Sequence, residues 1–341
     1  MRTAKSDKAI VIWLLTGAFL VASMVILGGI TRLTQSGLSM VEWKLIIGSV
    51  PPMNETEWQA TFEKYQNFPE YKKLNIHYTL SDFKSIFWWE YSHRLLGRLI
   101  GIIFLIPFFV FLVKKKLDKP LTKKLLFILF MGAFQGFLGW FMVKSGLVNN
   151  PHVSHFRLAA HLLTAFFLFA YIFNLALVIG WPSKNKIRIS YYRQLLNVLL
   201  GLIIFQVIYG AFVAGLKAGL FYPTFPTMNG ALMPDVINNS FVTEGWTSLI
   251  NSVASVQFIH RWLGITVWSY VVLMGVLYAP SMAGKIRSSF ILLGIIITIQ
   301  ALLGIFTLLY SVPLTLGVLH QLGALLTLMA WVYAAHISRL A

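Results

Sequence analysis

The chain has 341 residues, of which 57% are hydrophobic and only 11% are charged, and its mean hydropathy is +0.74. Soluble domains carry roughly 25% charged residues, so this composition is that of a polytopic membrane protein. The sequence contains no cysteine, which excludes disulfides, thiolate catalysis and thiolate-bound iron–sulfur clusters. Any metal must therefore be bound by histidine, methionine or carboxylate.

Eight apolar runs are long enough to cross a membrane, which takes about 20 residues. They are residues 9–30, 90–113, 124–143, 155–180, 195–216, 253–279, 288–310 and 314–338. We therefore predict an all-α polytopic membrane protein with eight transmembrane helices.

The net charge of +17 arises from 28 basic and 11 acidic residues. Most of the basic residues lie before the first run, after the eighth, and in the loops between runs two and three, four and five, and six and seven. The positive-inside rule places this side in the cytoplasm, with both termini, and explains the charge without a nucleic-acid partner. Few residues precede the first run, so we expect a bacterial cytoplasmic membrane rather than an organelle.

The outer loop over residues 31–89 is the largest hydrophilic segment, and its charges are balanced. Trp58, Phe62 and Tyr65 recur at helical spacing in this loop, which predicts a short amphipathic helix. We expect this helix to lie against the membrane surface, and a packed lid accounts for it as well as any binding role does.

The first four runs repeat as the last four. Three motifs carry the repeat: Glu90-x-x-His93-Arg94 with Gln257-x-x-His260-Arg261, Gln135-x-x-Leu138-Gly139 with Gln300-x-x-Leu303-Gly304, and His161 with His320. Four spans is an even number, so both halves have the same orientation. We predict two tandem four-helix bundles, residues 1–180 and 181–341, related by a pseudo-twofold axis along the membrane normal.

Four histidines recur in the repeat, each near the outer end of its span and each followed four residues later by glycine or alanine. They are His93, His161, His260 and His320. A lone intramembrane histidine is usually a packing residue, but four in duplicated register favour ligation. Two imidazoles that face one another across a helix bundle can bind both axial faces of a haem iron. This arrangement predicts two haem sites, one in each half.

Arg94 and Arg261 each follow one of these histidines. A guanidinium fork is suited to haem propionates, although both arginines could equally reach the membrane interface. A zinc or di-iron site is disfavoured, because a Glu-x-x-His motif needs further carboxylates and the other spans contain almost none. The remaining histidines, His77, His152, His155 and His336, are expected to be ordinary polar or interfacial residues.

The two halves differ where Glu90 in the first half corresponds to Gln257 in the second. A carboxylate one turn from an axial histidine can accept a proton or stabilise positive charge beside the macrocycle, and an amide does neither well. This difference favours one reactive haem site and one redox site. The alternative is that Glu90 only pairs with Arg94 at the interface.

The chain resembles the haem A synthase family over about residues 20–338. The resemblance is carried by GGITRLTQSGLSM at residues 28–40, EYSHR at 90–94, FVAGLKAGL at 212–220 and HR at 260–261. The stretch with Tyr91-Ser92 resembles the sequence found in the branch of the family that contains the mitochondrial enzyme and its cysteine-less bacterial relatives. Some family members carry a cysteine pair where this chain has Met40 and Ile46, so a thiol-based step is not expected here.

The resemblance implies oxidation of the C8 methyl of haem O to a formyl group in two steps, which produces haem A. By the family pattern His93 and His161 hold the substrate haem, and Glu90 is the catalytic carboxylate. His260 and His320 hold a haem b through which electrons leave.

The partners to consider are haem O, a haem O synthase (a prenyltransferase), an electron acceptor, the lipid bilayer and a second copy of the chain. The main alternative function is a quinol-linked dihaem b electron carrier without haem-modifying activity. A transporter built on a parallel repeat would place its ionisable groups near the membrane midplane instead.

Overall fold

The structure is a computed structural model that describes residues 4–42, 50–147, 152–182, 190–282 and 284–340. Within these ranges the regular structure is helical, and strand pairing is limited to one isolated bridge between Met228 and Ala231. The helices are α1 (Ala4–Leu33), α2 (Glu55–Gln66), α3 (Pro69–Lys73), α4 (Leu80–Val113), α5 (Lys119–Gly146), α6 (His155–Gly180), α7 (Ser190–Gly215), α8 (Asp235–Glu244), α9 (Ser248–Asn251), α10 (Val253–Tyr278), α11 (Gly284–Leu309) and α12 (Leu314–Leu340).

Eight of these helices, α1, α4–α7 and α10–α12, are long and apolar enough to cross a membrane. Their large apolar side chains are widely exposed; Phe130 on α5, for example, is 64% exposed. Lipid tails can cover such faces, whereas water cannot do so at low cost. The prediction of an all-α protein with eight spanning helices is confirmed.

The chain divides into two compact units, and the divisions fall inside α1 and α6. One unit comprises Phe19–Ala165, and the other comprises Met1–Ala18 together with Phe166–Ala341. The expected halves, residues 1–180 and 181–341, and their pseudo-twofold relation stay predictions.

Helix α4 begins ten residues before the predicted span, at Leu80 rather than at Glu90. Thr79 and Asp82 form a capping box at its start, in which each side chain accepts from the other residue's backbone N–H. Phe83, Ile86 and Phe87 are buried on the added turns. Charged residues and tryptophans interrupt this stretch, so its hydropathy did not reveal that it continues the helix.

The predicted amphipathic helix is confirmed as α2, which Asn54 caps by accepting from the backbone N–H of Glu57. Its aromatic residues pack against α4: the ring centroids are 4.9 Å apart for Trp58 and Phe87, and 5.1 Å apart for Tyr65 and Phe83. All three aromatic residues of α2, Trp58, Phe62 and Tyr65, are buried. The apolar face of α2 is therefore covered by protein, as expected of a packed lid, and its position on the membrane surface stays a prediction.

The buried Tyr65 on α2 also forms side-chain hydrogen bonds with the segment that follows α2. The Tyr65 hydroxyl donates to Glu70 Oε2 at 3.1 Å and accepts from Asn75 Nδ2 at 2.8 Å. Burial, and then the neighbouring Glu70 charge, raise the pKa of Tyr65 well above its usual value. The phenol therefore remains protonated at any physiological pH and donates a hydrogen bond to the buried Glu70 carboxylate.

The unit that contains α7 and α10–α12 has a conventional apolar core, with Leu196, Leu293 and Leu325 almost fully buried. Two half-buried side chains form hydrogen bonds from its other helices to α7. Trp331 Nε1 donates to the carbonyl oxygen of Leu196 at 2.7 Å, and the Tyr270 hydroxyl donates to that of Leu195 at 3.0 Å. Both bonds join helices that are distant in sequence, so they fix the packing of this unit.

We predict that Phe83→Ala releases α2 from α4, because Phe83 is fully buried and contacts the aromatic side chains of α2. Removing a buried phenylalanine costs about 3–5 kcal/mol. The variant should unfold at a lower temperature in detergent, and trypsin should cut faster at Lys64 and Lys72. Phe130→Ala is the control, since that ring is 64% exposed. Wild-type cleavage rates in both variants would show that this cluster does not hold α2.

Candidate functional site

Each of the four repeated histidines packs against a glycine on the helix that precedes it among the eight spanning helices. A Cβ added at that glycine would lie close to the imidazole ring. The distance from the added Cβ to the nearest ring atom is 3.1 Å at Gly28 (His93 Nε2), 3.4 Å at Gly139 (His161 Cε1), 3.1 Å at Gly210 (His260 Cε1) and 2.8 Å at Gly304 (His320 Cε1). Each ring therefore packs into a notch of the same type on the preceding helix. At the tighter contacts only glycine leaves enough room for the ring.

Sequence reasoning missed these notches. The sequence motifs included Gly139 and Gly304 only as markers of the repeat, and the small residues noted beside the histidines were those four positions after each of them. The structure places Gly97 against Met24 Cε and Gly264 against Gln206 Nε2, each at 3.2 Å from an added Cβ. The repeated spacing of Gln135–Gly139 and Gln300–Gly304 is the signal that could have found the notches.

The glutamines of that spacing bind the backbone of the histidines. Gln135 Nε2 donates to the carbonyl oxygen of His161 at 3.0 Å, and Gln300 Nε2 donates to that of His320 at 2.9 Å. One turn further along each helix, the notch glycine packs against the ring of the same histidine. Helices α5 and α11 therefore fix both the backbone and the ring of the histidine on the next helix.

His260 and His320 are brought together in one unit. Their ring centroids are 6.4 Å apart, the ring planes are nearly perpendicular at 86°, and neither Nδ1 has a hydrogen-bond partner among the described residues. The gap is too wide for a direct hydrogen bond between the rings but admits one metal ion between them. Two imidazoles with nitrogens left unpaired in a buried setting fit the axial ligand set of a haem iron.

His93 and His161 lie in the same unit. His161 Nδ1 lacks a hydrogen-bond partner among the described residues. The His93 ring is turned differently from the other three, because its Nε2 rather than its Cε1 lies nearest the notch glycine. Ligation of one haem iron by His93 and His161 stays a prediction.

Glu90 is buried, and both of its carboxylate oxygens have hydrogen-bond partners. Its Oε2 accepts from Ser39 Oγ and from the backbone N–H of Met40, each at 2.7 Å, and its Oε1 is paired with Arg94 at 2.5 Å. The side chains of Glu90 and Arg94 are only 3% and 8% exposed. The expected pairing with Arg94 exists, but it is a buried ion pair in contact with the loop after α1 rather than an exposed contact.

The two arginines contact equivalent loop positions. Arg94 donates to the carbonyl oxygens of Met40 and Glu42, and Arg261 donates to those of Tyr222 and Thr224. Met40 follows Gly28 by twelve residues, as Tyr222 follows Gly210. Arg261 also binds the carbonyl oxygens of Pro226 and Thr227. Both arginines therefore anchor a loop, and their binding of propionates stays a prediction.

Gln257 donates a hydrogen bond to its loop, whereas Glu90 accepts one from the equivalent loop. Its Nε2 donates to the carbonyl oxygen of Tyr222 at 3.2 Å, whereas Glu90 accepts from the N–H of the equivalent Met40. Its Oε1 has no hydrogen-bond partner among the described residues. The difference between acid and amide therefore extends to the loop that each side chain contacts. Ile46, the second position noted for the cysteine pair, lies outside the described residues.

Together the fold and the site define a class: a multi-pass membrane protein with four half-buried histidines in glycine notches, two of which lie 6.4 Å apart by ring centroid. The COX15-CtaA family model, described as cytochrome oxidase assembly protein, matches residues 11–332, and the chain belongs to this family.

Curated relatives are similar over nearly the whole chain. A protein named Heme A synthase from Flavobacterium johnsoniae is 46% identical over 97% of this chain and 98% of its own length. Another protein of that name, from Nitrosospira multiformis, is 47% identical over 97% of this chain and 93% of its own length. The resemblance recognised in the sequence is confirmed.

We predict that Arg94→Leu strongly destabilises the protein, because it leaves the buried Glu90 charge without its counter-ion. Breaking a buried ion pair in this way costs about 3–5 kcal/mol. The unfolding temperature in detergent should fall, and Glu90→Gln in the same protein should recover part of the loss.

The matched control is Lys64→Leu, which breaks an exposed ion pair with Glu42. Such pairs contribute about 0–1 kcal/mol, so its unfolding temperature should change little. Equal effects of Arg94→Leu and Lys64→Leu would contradict the importance of burial.

Proposed function

We propose that this chain acts as a haem A synthase, an oxidoreductase that converts the C8 methyl of haem O to a formyl group. Membership of the family and relatives of that name at 42–47% identity support the proposal. The observation that carries it is the buried carboxylate of Glu90, which lies in one histidine set while the other has the amide of Gln257.

In this proposal His93 and His161 hold haem O, and His260 and His320 hold a resident haem b. Haem b supplies a centre that takes up and passes on one electron at a time. The imidazoles of the second pair suit this role, since their facing rings provide two neutral nitrogen ligands and the notch glycines fix their positions.

The reaction on the substrate balances as two successive two-electron oxidations. In the first, the C8 methyl and one water give a hydroxymethyl group, two protons and two electrons. In the second, the hydroxymethyl group gives the formyl group, two more protons and two more electrons. His260 and His320 would hold the haem b that would supply a one-electron centre for passing these electrons to an acceptor in the membrane.

Glu90 would act while the methyl carbon loses electrons. A fixed negative charge stabilises positive charge that develops beside the macrocycle, and a carboxylate can also accept the released proton. Ser39 and the Met40 N–H hold Oε2 in place, so the carboxylate does not need to reorganise during the reaction. Arg94 balances the charge before substrate arrives.

The membrane context follows the distribution of basic residues. We expect the chain in a bacterial cytoplasmic membrane, with both termini in the cytoplasm and the four histidines nearer the opposite face. Haem O is itself apolar, so a haem O synthase in the same bilayer is the expected source of substrate. Self-association of the chain stays a prediction.

We predict that Glu90→Gln binds haem but lowers haem A formation by about 10²-fold or more, the range for loss of a general acid–base group. The variant is produced with a haem O source, and extracted haems are separated and quantified. Glu70→Gln is the control, since it alters another buried carboxylate, in the loop between α1 and α4. A near-normal rate for Glu90→Gln would remove Glu90 from the mechanism.

We further predict that His260→Ala and His320→Ala each lose haem b, while His93→Ala and His161→Ala lose substrate haem. The pyridine haemochrome spectrum of each purified protein measures this directly. His77→Ala, in the loop before α4, is the control. If the wild-type protein, made with a haem O source, held only haem b and made no haem A, the dihaem electron carrier would be the better assignment.

A further inference from the structure

We propose that the notch glycines with the tightest contacts are positioning residues that set the location of the histidine rings for ligation. They are Gly28, Gly210 and Gly304, and Gly139 is the looser notch that serves as the comparison. The inference rests on the proposed function, in which the histidines bind haem iron. It adds a second group of residues, on α1, α7 and α11, to the ligands on α4, α10 and α12.

The notches are specific for the imidazoles. At each of the four glycines, the atoms nearest to an added Cβ all belong to the histidine ring. At Gly304 three ring atoms of His320 lie at 2.8, 3.4 and 3.5 Å. A methyl group at this position would therefore meet the proposed ligand before any of its other neighbours.

A polar residue one turn before the glycine completes the motif in three of the four cases. Gln135 and Gln300 donate to the carbonyl oxygens of the histidines on the next helix. Gln206, four residues before Gly210, reaches the His260 ring, with Nε2 atoms 3.5 Å apart. The fourth case has Met24 before Gly28. On α5 and α11 the motif Gln-x-x-x-Gly thus contacts both the backbone and the ring of the histidine, and on α7 it contacts the ring alone.

The distances predict a graded response to alanine. Ligand groups must be held within about 0.5 Å of their productive position. At Gly304 the 2.8 Å contact forces the ring or the helix to move, and at Gly210 the 3.1 Å contact forces a smaller shift. At Gly139 the 3.4 Å contact is ordinary van der Waals contact, so alanine fits there. The sensitivity should follow the order Gly304, Gly210, Gly139.

The first experiment compares haem content per protein and the low-spin haem spectrum in the purified alanine variants. Gly304→Ala should lower haem affinity by about 10–100-fold, the effect typical of residues that orient a metal ligand. Gly139→Ala should match the wild type. Gly275→Ala on α10 and Gly136→Ala on α5 are matched controls, because nothing lies within 4 Å of an added Cβ at either position. Full haem content and an unchanged spectrum in Gly304→Ala would overturn the inference.

The second experiment separates positioning from general damage to the fold. The unfolding temperature of haem-free protein is measured for Gly304→Ala, His320→Ala and the double variant. If the methyl group that Gly304→Ala introduces clashes only with the imidazole, its penalty disappears once His320 is replaced, and the two changes are not additive. An equal penalty in both backgrounds would show that Gly304 serves helix packing rather than the ring.

Failure of the proposed function gives a different result. If His320→Ala retained full haem with the wild-type spectrum, His320 would not be a ligand, and the assignment of haem b to this pair would fall with the inference. If His320→Ala lost haem while Gly304→Ala did not, the ligand assignment would stand and only the positioning role would be wrong.

Discussion

A buried ion pair within one helix, hydrogen-bonded to the neighbouring loop, is the interaction on which the surroundings of Glu90 depend. Glu90 and Arg94 lie one turn apart on α4, and both also contact backbone groups of the loop after α1. Neither charge could remain in so enclosed a place alone. The loop supplies an N–H to the acid and carbonyl oxygens to the base, so the pair and the loop hold one another in position.

The spanning helices were predictable because lipid exposure demands long apolar runs, and the sequence displays them directly. The start of α4 was not, because its first turns are stabilised by α2 rather than by lipid and carry Asp82 and Lys84 among their aromatics. The histidines were recognisable from their repetition. Their glycine partners were not, since a notch is defined by two helices, and one sequence reveals only the periodicity of each.

The repeat extends to the backbone at positions where the side chains have diverged. Gln35 and Lys217 both adopt a left-handed conformation with φ of 54°. Each lies seven residues after a notch glycine, Gly28 or Gly210, where the chain leaves its helix. Two unrelated side chains in the same strained conformation indicate that the turn itself is retained, because the following loop must reach the arginine of its own unit. The two units therefore share this turn, and they differ in the acid at position 90 and the amide at position 257.

The carbonyl contacts of Arg261 give the second site an electrostatic character of its own. Each described hydrogen bond of this buried guanidinium ends on a carbonyl oxygen, which offers a dipole and no net charge. Arg94, by contrast, is cancelled by a carboxylate one turn away. The residue after His260 thus contributes a standing positive potential, and the residue after His93 contributes little. In a low-dielectric interior such a potential lowers the energy of any added electron. The surroundings of His93 and His260 therefore differ in electrostatic potential although their frameworks are nearly the same.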